Sequence, residues 1–276
     1  MTHPPSPPAP AITAFVEGIG LLGPGLASWA QGRECLQGAA PYQAARCVPP
    51  SPMALPPAER RRAGAVVKIS LAVAEEAVAA SGLRAAALAS VFSSSSGDAV
   101  NCHEICSTLA SSDRLISPTR FHNSVHNAAS GYWSISSGAM ATSSVVCARD
   151  ASFAAGLLEA MTQVAVEQVP VLLVAYDTDY PEPLRSARTI PDSFGVALVL
   201  APHRSERSQA QWTLEPADCL SPLPADRLDD SALETLRLDI PAARCLPLLR
   251  GVANRQSGRI VLDYLEGSQL ALQVAP

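Results

Sequence analysis

The clearest alternation of hydrophobic and polar positions lies between residues 144 and 175. Residues 144–148 form a short apolar run, which is typical of a buried strand, and residues 169–175 form a second one. Between the two runs, apolar side chains recur at the 3.6-residue spacing of a helix: Phe153, Leu157, Leu158, Met161, Val164 and Ala165. The pattern therefore predicts a β-α-β unit.

Upstream of this unit, residues 12–20 read as a strand closed by glycines. Residues 56–82 predict a loop that leads into a long helix ended by Gly82, and residues 88–92 predict a short buried strand. The segment SSSSGD at 93–98 predicts a turn. Two further helices are predicted by this part of the chain, at 101–110 and 120–133.

Downstream, strands are predicted by residues 193–200 and 211–215, and helices by residues 228–236 and 242–252. Residues 259–265 and 269–274 flank a Glu-Gly-Ser turn and predict a hairpin. Because strands and helices alternate along the chain, we expect a layered α/β fold. No internal repeat of fixed period is visible.

The composition favours a folded chain that has a partner. Hydrophobic residues make up 48% of the 276 residues and charged residues 16%, so we expect a large core and a surface that another protein covers in part. The net charge is −5, and no stretch gathers enough Lys or Arg to neutralise phosphates, so nucleic acid is not expected as a partner.

The start of the chain predicts no export. Residues 1–11 are Pro-rich and are expected to be a disordered leader, without the cationic stretch and apolar run of a secretory signal. The apolar runs are far shorter than the roughly 20 residues of a membrane span. Seven cysteines, an odd number without a dense framework, fit reduced thiols, and we expect a cytoplasmic protein.

Four potential metal ligands stand at suggestive spacing, since Cys102 and Cys106, and then His122 and His126, are each four residues apart. One hypothesis is a zinc module on these four side chains. The other is that the thiols are core or half-exposed and that the histidines form hydrogen bonds within a helix at a subunit interface. Because no CxxC or HExxH pair is present, we predict no metal site.

Several segments, in order, carry a family resemblance: ITAFVEGIGLLGPG, WAQGRE, PPAERRRAGAVVKISLAVAEEAVAASGL and LASVFSSSSGD. Together they resemble the N-terminal half of the β-ketoacyl synthases, colinear over roughly residues 12–200. The stretch SPTRFHNSVHNAASGYWSI at 117–135 is similar to the chain-length-factor-like subunits of aryl polyene (xanthomonadin-type) pathways. The resemblance implies a thiolase-like α-β-α fold with a shortened C-terminal half. Residues 12–276 would form one domain, in which 12–203 match best and 204–276 are abbreviated.

The resemblance is most informative at SSVVCARDASFAAGLLEA, residues 143–160, where ketosynthases carry a nucleophilic cysteine at a strand-to-helix turn. Aligning Phe153 with the family's apolar residue puts Arg149 at the nucleophile position. Arginine forms no thioester, and we expect Asp150 to cap the following helix. Ketosynthases also need two imidazoles for condensation, whereas no histidine follows His203 in this chain. We therefore predict no catalytic residue and no cofactor.

Cys147 is the alternative nucleophile, because moving the register by two residues would place it at that position. An independent acyl-transfer or condensing enzyme using Cys147 is thus a second hypothesis. The competing interpretation is a small apolar residue at the end of a buried strand, and the shifted register also loses the match at Phe153.

The resemblance further implies a dimer, in which residues 141–148 and 121–135 lie at the subunit interface. The partner would be a catalytic ketosynthase whose acyl tunnel this chain helps to shape, with an acyl carrier protein as an indirect partner. The short cluster Arg60, Arg61 and Arg62 is either a solvated helix start or a contact for such a carrier. The predicted interface residues are Phe121, His122, Asn123, His126, Asn127, Tyr132, Trp133, Met140, Val145 and Val146.

Overall fold

The computed structural model describes residues 11–215 and 224–276, so the predicted leader lies outside the described residues except for Ala11. The strands are β1 (Thr13–Leu22), β2 (Ala89–Ser93), β3 (Ser143–Val146), β4 (Val171–Asp177), β5 (Phe194–Ala201), β6 (Ala210–Leu214), β7 (Gly258–Asp263) and β8 (Gln269–Ala275). The α-helices are α1 (Trp29–Leu36), α2 (Pro57–Arg62), α3 (Ala65–Ser81), α4 (Ala99–Ala110), α5 (Pro118–His122), α6 (Ala128–Ser137), α7 (Ser152–Glu167), α8 (Leu184–Ala187), α9 (Ser231–Asp239) and α10 (Leu246–Ala253). Three short 3-10 helices complete the set, at Ala85–Ala87, Arg149–Ala151 and Pro241–Cys245.

All eight strands join one mixed sheet in the order β3-β2-β4-β5-β1-β6-β8-β7. β2 runs parallel to β3 on one side and to β4 on the other, and the remaining neighbours are antiparallel. The predicted β-α-β unit is β3-α7-β4, with β2 inserted between its two strands. β3 therefore stands at one edge of the sheet, with β2 as its one neighbour in the described parts of the chain.

The sheet is covered on both faces, which explains why its central strands are continuous apolar runs. In β4, Leu172, Val174 and Tyr176 face the layer that contains α3 and α6. Val171, Leu173 and Ala175 face the opposite layer, which contains α1, α7, α9 and α10. The molecule is thus a three-layer α-β-α arrangement, as the alternation of elements predicts.

The contact between β1 and α3 is close enough to require glycine on the strand. A Cβ atom at Gly20 would lie 2.0 Å from the carbonyl oxygen of Val73, and one at Gly18 would lie 2.1 Å from that of Ala77. Helix α3 then ends at Gly82, which has the left-handed φ of 69° that favours glycine at this position. The predicted end of this helix is confirmed.

Two predicted elements differ in the structure. The helix predicted at 120–133 is two helices, α5 and α6, separated by residues 123–127. One side chain in this gap forms a local hydrogen bond of the kind that competes with a helix, since Ser124 Oγ donates to the carbonyl of Phe121. A second bond is long-range, since Asn123 Nδ2 donates to the carbonyl of Arg62 at the end of α2. The strand predicted to be buried at 144–148 is β3, which is an edge strand and only half-buried.

We expect Gly20→Ala to lower the free energy of unfolding by about 3 kcal/mol, because the added methyl group would collide with the backbone of α3. The matched control is Gly131→Ala in α6, where an added Cβ meets no atom within 4 Å. The control should be neutral or gain up to about 1 kcal/mol from helix propensity. Urea denaturation of the two variants measures both effects, and equal stabilities would contradict the close packing.

Candidate functional site

The carboxyl ends of the three parallel strands β3, β2 and β4 lie together at one end of the sheet. In α/β proteins, ligands generally bind outside the carboxyl ends of the strands. Cys147 and Arg149 follow β3, the segment 94–97 follows β2, and Asp177 is the last residue of β4. The topology of the sheet therefore brings the polar and reactive side chains of these three segments close together.

Asp177 is buried among the carboxyl ends of these strands. Its Oδ1 accepts hydrogen bonds from the amide and the hydroxyl of Ser95, at 2.9 and 2.6 Å. Its Oδ2 accepts from the amide of Ala242 at 2.9 Å. Burial raises the pKa of Asp177 to about 6, while these hydrogen bonds and the charge of Arg188 limit the rise. The carboxylate thus joins the ends of β2 and β4 to the 3-10 helix at Pro241–Cys245.

The turn from β3 into α7 is sharp, and Arg149 lies at its apex with a φ of 50°. This left-handed backbone is uncommon for a residue other than glycine. The hydroxyl of Ser152 stabilises the turn, because it accepts from the amide of Ala148 at 3.0 Å and donates to the carbonyl of Arg149 at 2.6 Å. The side chain of Arg149 is exposed.

The prediction that Asp150 caps α7 is wrong. No side chain caps the helix at its N-terminal residue, and the carboxylate of Asp150 instead pairs with Arg188 and lies 3.8 Å from Arg244. Two guanidinium groups carry full charges, whereas the helix terminus offers partial ones, so the carboxylate is directed to the arginines.

Cys147 does not match the expectation of a side chain buried at the end of a buried strand. It is exposed, because β3 is an edge strand, and its Sγ donates to the carbonyl of Ser95 at 3.4 Å. A carbonyl oxygen accepts the thiol proton without removing it, whereas a nucleophilic cysteine needs a neighbouring base or positive charge. Exposure alone therefore does not provide an activated thiolate.

The ten predicted interface residues divide into two groups. Tyr132 and Trp133 are each 2% exposed and pack inside the chain against α3 and the sheet. The Tyr132 hydroxyl donates to Asn123 Oδ1 at 3.1 Å, which fixes the segment before α6. The other eight are exposed or half-buried on β3 and on the segments around α5 and α6: Phe121, His122, Asn123, His126, Asn127, Met140, Val145 and Val146.

The zinc hypothesis is wrong for the described residues. Cys102 and Cys106 lie on α4, whereas His122 ends α5 and His126 lies in the following segment. Within residues 11–215 and 224–276, no group of three or more His, Cys, Asp or Glu side chains is placed to hold a metal ion. The two histidines are not on one helix face because the helix that was expected to carry both is interrupted.

The arginine cluster at 60–62 lies in α2. Arg60 donates to the carbonyl of Leu55 at 3.1 Å, and Arg62 pairs with Glu59 at 3.2 Å. These contacts are local, and Arg61 and Arg62 remain exposed at the end of the helix.

Residues 29–239 match the family described as beta-ketoacyl synthase, N-terminal domain, which covers more than half of the chain. The chain belongs to this family. No curated protein matches the sequence. No helix in the described parts of this ketosynthase-family chain is long and apolar enough to cross a membrane.

Solved structures show the same fold. A chain of the ketosynthase in complex with its chain length factor from Xenorhabdus doucetiae has a TM-score of 0.70 and 21% identity, with 96% of this chain and 99% of that chain covered. A chain of the ishigamide ketosynthase/chain length factor has a TM-score of 0.69 and 13% identity, with 95% of this chain and 98% of that chain covered. A chain from a type II acyl carrier protein in complex with its ketosynthase has a TM-score of 0.72 and 12% identity, with 95% of this chain and 99% of that chain covered. The predicted thiolase-like, ketosynthase-type fold is confirmed.

Three residues of the site are absent from the sequence-based predictions: Asp177, Arg188 and Arg244. Asp177 alone has a visible signal, because it is a carboxylate that ends a buried apolar strand whose neighbours end in SSSSGD and VCARD. Arg188 and Arg244 come to Asp150 from 38 and 94 residues away, and only the fold shows this.

The raised pKa of Asp177 predicts a pH dependence of stability. In the unfolded chain the carboxyl of Asp177 has a pKa of about 3.9, so the folded chain binds its proton more tightly. Protonation of Asp177 therefore stabilises the fold at low pH, and this stabilisation is lost as pH rises from about 4 through 6. The Asp177→Asn variant has no such titrating group. Relative to the variant, we expect the wild type to lose about 2–3 kcal/mol between pH 4 and pH 7, as measured by urea denaturation. Parallel pH profiles would contradict the assignment.

Proposed function

We propose that the chain is a non-catalytic, chain-length-factor-like partner of a catalytic β-ketoacyl synthase. It forms a heterodimer with that enzyme and helps to shape its acyl tunnel, in polyene, polyketide or fatty-acid-type biosynthesis. The observation that carries the proposal is the sharp turn between β3 and α7, whose apex holds Arg149 at a φ of 50°. This left-handed backbone supports a tight strand-to-helix turn, and the alignment at Phe153 assigns its apex, and therefore a guanidinium, to the position of the nucleophile.

The chemistry of condensation needs a thiolate, a base and donors for the developing oxyanion. Arginine stays protonated and forms no thioester. The five histidines of the chain all lie at or before residue 203, so the two imidazoles that ketosynthases carry in their second half have no counterpart here. On this proposal the nucleophile, the base and the oxyanion hole all belong to the partner.

The open edge of the sheet offers a surface for such a partner. β3 has no second neighbour within the described residues, so its outer backbone groups are unpaired in this chain. Met140, directly before β3, is 95% exposed, and Phe121, Val125 and Ile135 in and beside α5 and α6 are exposed as well. An apolar surface beside an unpaired strand edge favours pairing with another subunit.

The structural comparisons support the same partner class. Two of the similar structures are described as a ketosynthase with its chain length factor, and this chain covers 99% and 98% of the matched chains. A third is described as containing an acyl carrier protein bound to its ketosynthase. The resemblance of residues 117–135 further supports an aryl-polyene-type pathway, in which the carrier would deliver acyl groups to the partner and meet this chain indirectly.

A cytoplasmic location is part of the proposal. The six cysteines in the described residues are free thiols, two of them exposed on α4 and one after β3. Exposed free thiols fit a reducing compartment.

The alternative enzyme is tested at Cys147. We expect intact-protein mass spectrometry to find no covalent adduct after the purified chain is incubated with acyl and malonyl thioesters, because the hydrogen bond found for the thiol within residues 11–215 and 224–276 is to the carbonyl of Ser95 and not to a base. Cys147→Ser serves as the control for nonspecific acylation of other side chains. An adduct that forms on the wild type and disappears in this variant, together with turnover of malonyl thioester without a second protein, would overturn the proposal.

The interface is tested at Met140. We expect Met140→Glu to weaken binding to the partner ketosynthase by about tenfold or more, because a charge would be buried at the contact. The matched control is Met53→Glu, since Met53 is 67% exposed on the loop before α2 and lies outside the proposed interface. Affinity is measured by titration calorimetry with the separately purified partner. Equal affinities of the two variants would place the interface elsewhere.

A further inference from the structure

Three arginines and one carboxylate gather around the turn after β3. Arg188 pairs with Asp150, and Arg244 Nη2 lies 3.8 Å from the other oxygen of the same carboxylate. Arg149, the residue before Asp150, has an exposed side chain for which no ion pair is found within residues 11–215 and 224–276. The other carboxylate near Arg188 is Asp177, which is buried and already accepts hydrogen bonds from Ser95 and Ala242. Three arginines thus stand against two carboxylates in this part of the chain.

The guanidinium groups of Arg188 and Arg244 are held in place rather than extended into solvent. Arg188 lies over the ring of Tyr180, with 5.8 Å from its Cζ to the ring centre, and Nη1 donates to the Tyr180 hydroxyl at 3.3 Å. Arg244 belongs to the 3-10 helix at Pro241–Cys245, whose backbone is fixed where the Ala242 amide donates to Asp177. Holding an arginine in one position lowers the entropy lost when it binds an anion.

Arg244 also has a hydrogen-bond donor without a partner in the described parts of the chain. Its side chain is 19% exposed, and its Nε is buried without a hydrogen-bond partner in the described parts of the chain. Buried donors of charged groups are costly to leave unpaired, and most have an acceptor. The long contact with Asp150 does not satisfy this atom.

We infer that Arg244, with Arg188 on the same carboxylate and Arg149 one residue before that carboxylate, binds a small oxyanion, either a carboxylate or a phosphate ester, at the turn after β3. Two features carry the inference: the excess of guanidinium groups over carboxylates, and the buried Nε of Arg244. The planar fork of a guanidinium matches both carboxylate and phosphate in a bidentate way. The site lies on this chain alone and does not depend on the proposed heterodimer.

The test is thermal unfolding and titration calorimetry of the full chain with inorganic phosphate, with malonate and with chloride at equal ionic strength. We expect phosphate, malonate or both to bind and to raise the unfolding temperature, and chloride to have no such effect. Binding of phosphate alone assigns the site to phosphate esters, and binding of malonate alone assigns it to carboxylates. Equal responses to all three salts would overturn the site.

The variant Arg244→Gln should weaken binding by about tenfold or more, and Arg244→Lys should restore part of it, since the charge returns without the fork. The matched control is Arg250→Gln, because Arg250 is 25% exposed and pairs with Asp229 at 3.2 Å in a different part of the fold. This control should bind as the wild type does. Unchanged affinity in Arg244→Gln would exclude the site.

The exposed Arg149 provides a second variant if Arg244→Gln does not fold. Arg149→Gln should lower the affinity several-fold without changing the unfolding temperature of the free protein, because its side chain has no partner to lose. An affinity equal to that of the wild type in this variant, in the absence of a folded Arg244→Gln protein, would count against the proposal.

Discussion

The buried carboxylate of Asp177 joins three segments that are distant in sequence. It receives the Ser95 amide and hydroxyl from the loop after β2, it ends β4 itself, and it receives the Ala242 amide from the C-terminal part of the chain. A carboxylate buried at this position is stable only while all of these donors are present, because an unpaired buried charge costs several kcal/mol. The loop, the strand end and the 3-10 helix are therefore positioned together, and Arg244 and the carbonyl of Ser95 that accepts from Cys147 are positioned with them.

The turn between β3 and α7 is stabilised by the residues that flank its apex. Ser152 forms two hydrogen bonds inside the turn, and Asp150 pairs with Arg188 outside it. Neither interaction uses the side chain at position 149. A turn that is stabilised in this way keeps its shape when the residue at its apex changes, so the shape of the turn does not by itself determine its chemistry.

Much of the fold follows from local sequence, whereas the site follows only in part. The helices at Phe153 and Val66 and the strands at Leu172 and Val196 have strong periodicity or continuous apolar runs, and they lie where the pattern places them. The break between α5 and α6 contains no Pro or Gly, and it coincides with a local hydrogen bond of Ser124 and a tertiary one from Asn123 to Arg62, of which the second depends on the fold. The half-exposure of β3 also escapes the pattern, because an apolar run does not say whether a strand is central or at an edge. Asp150 was assigned to the nearest helix terminus, while its actual partners come from distant segments.

The unpaired edge of β3 bears on how the protein must be produced. A short edge strand with apolar neighbours and no covering element within the described residues is a template to which any extended chain can add, including another copy of itself. A cell that made this chain in excess would expose that template to aggregation. The tendency of the isolated chain to aggregate should therefore depend on its concentration and on whether this edge is covered.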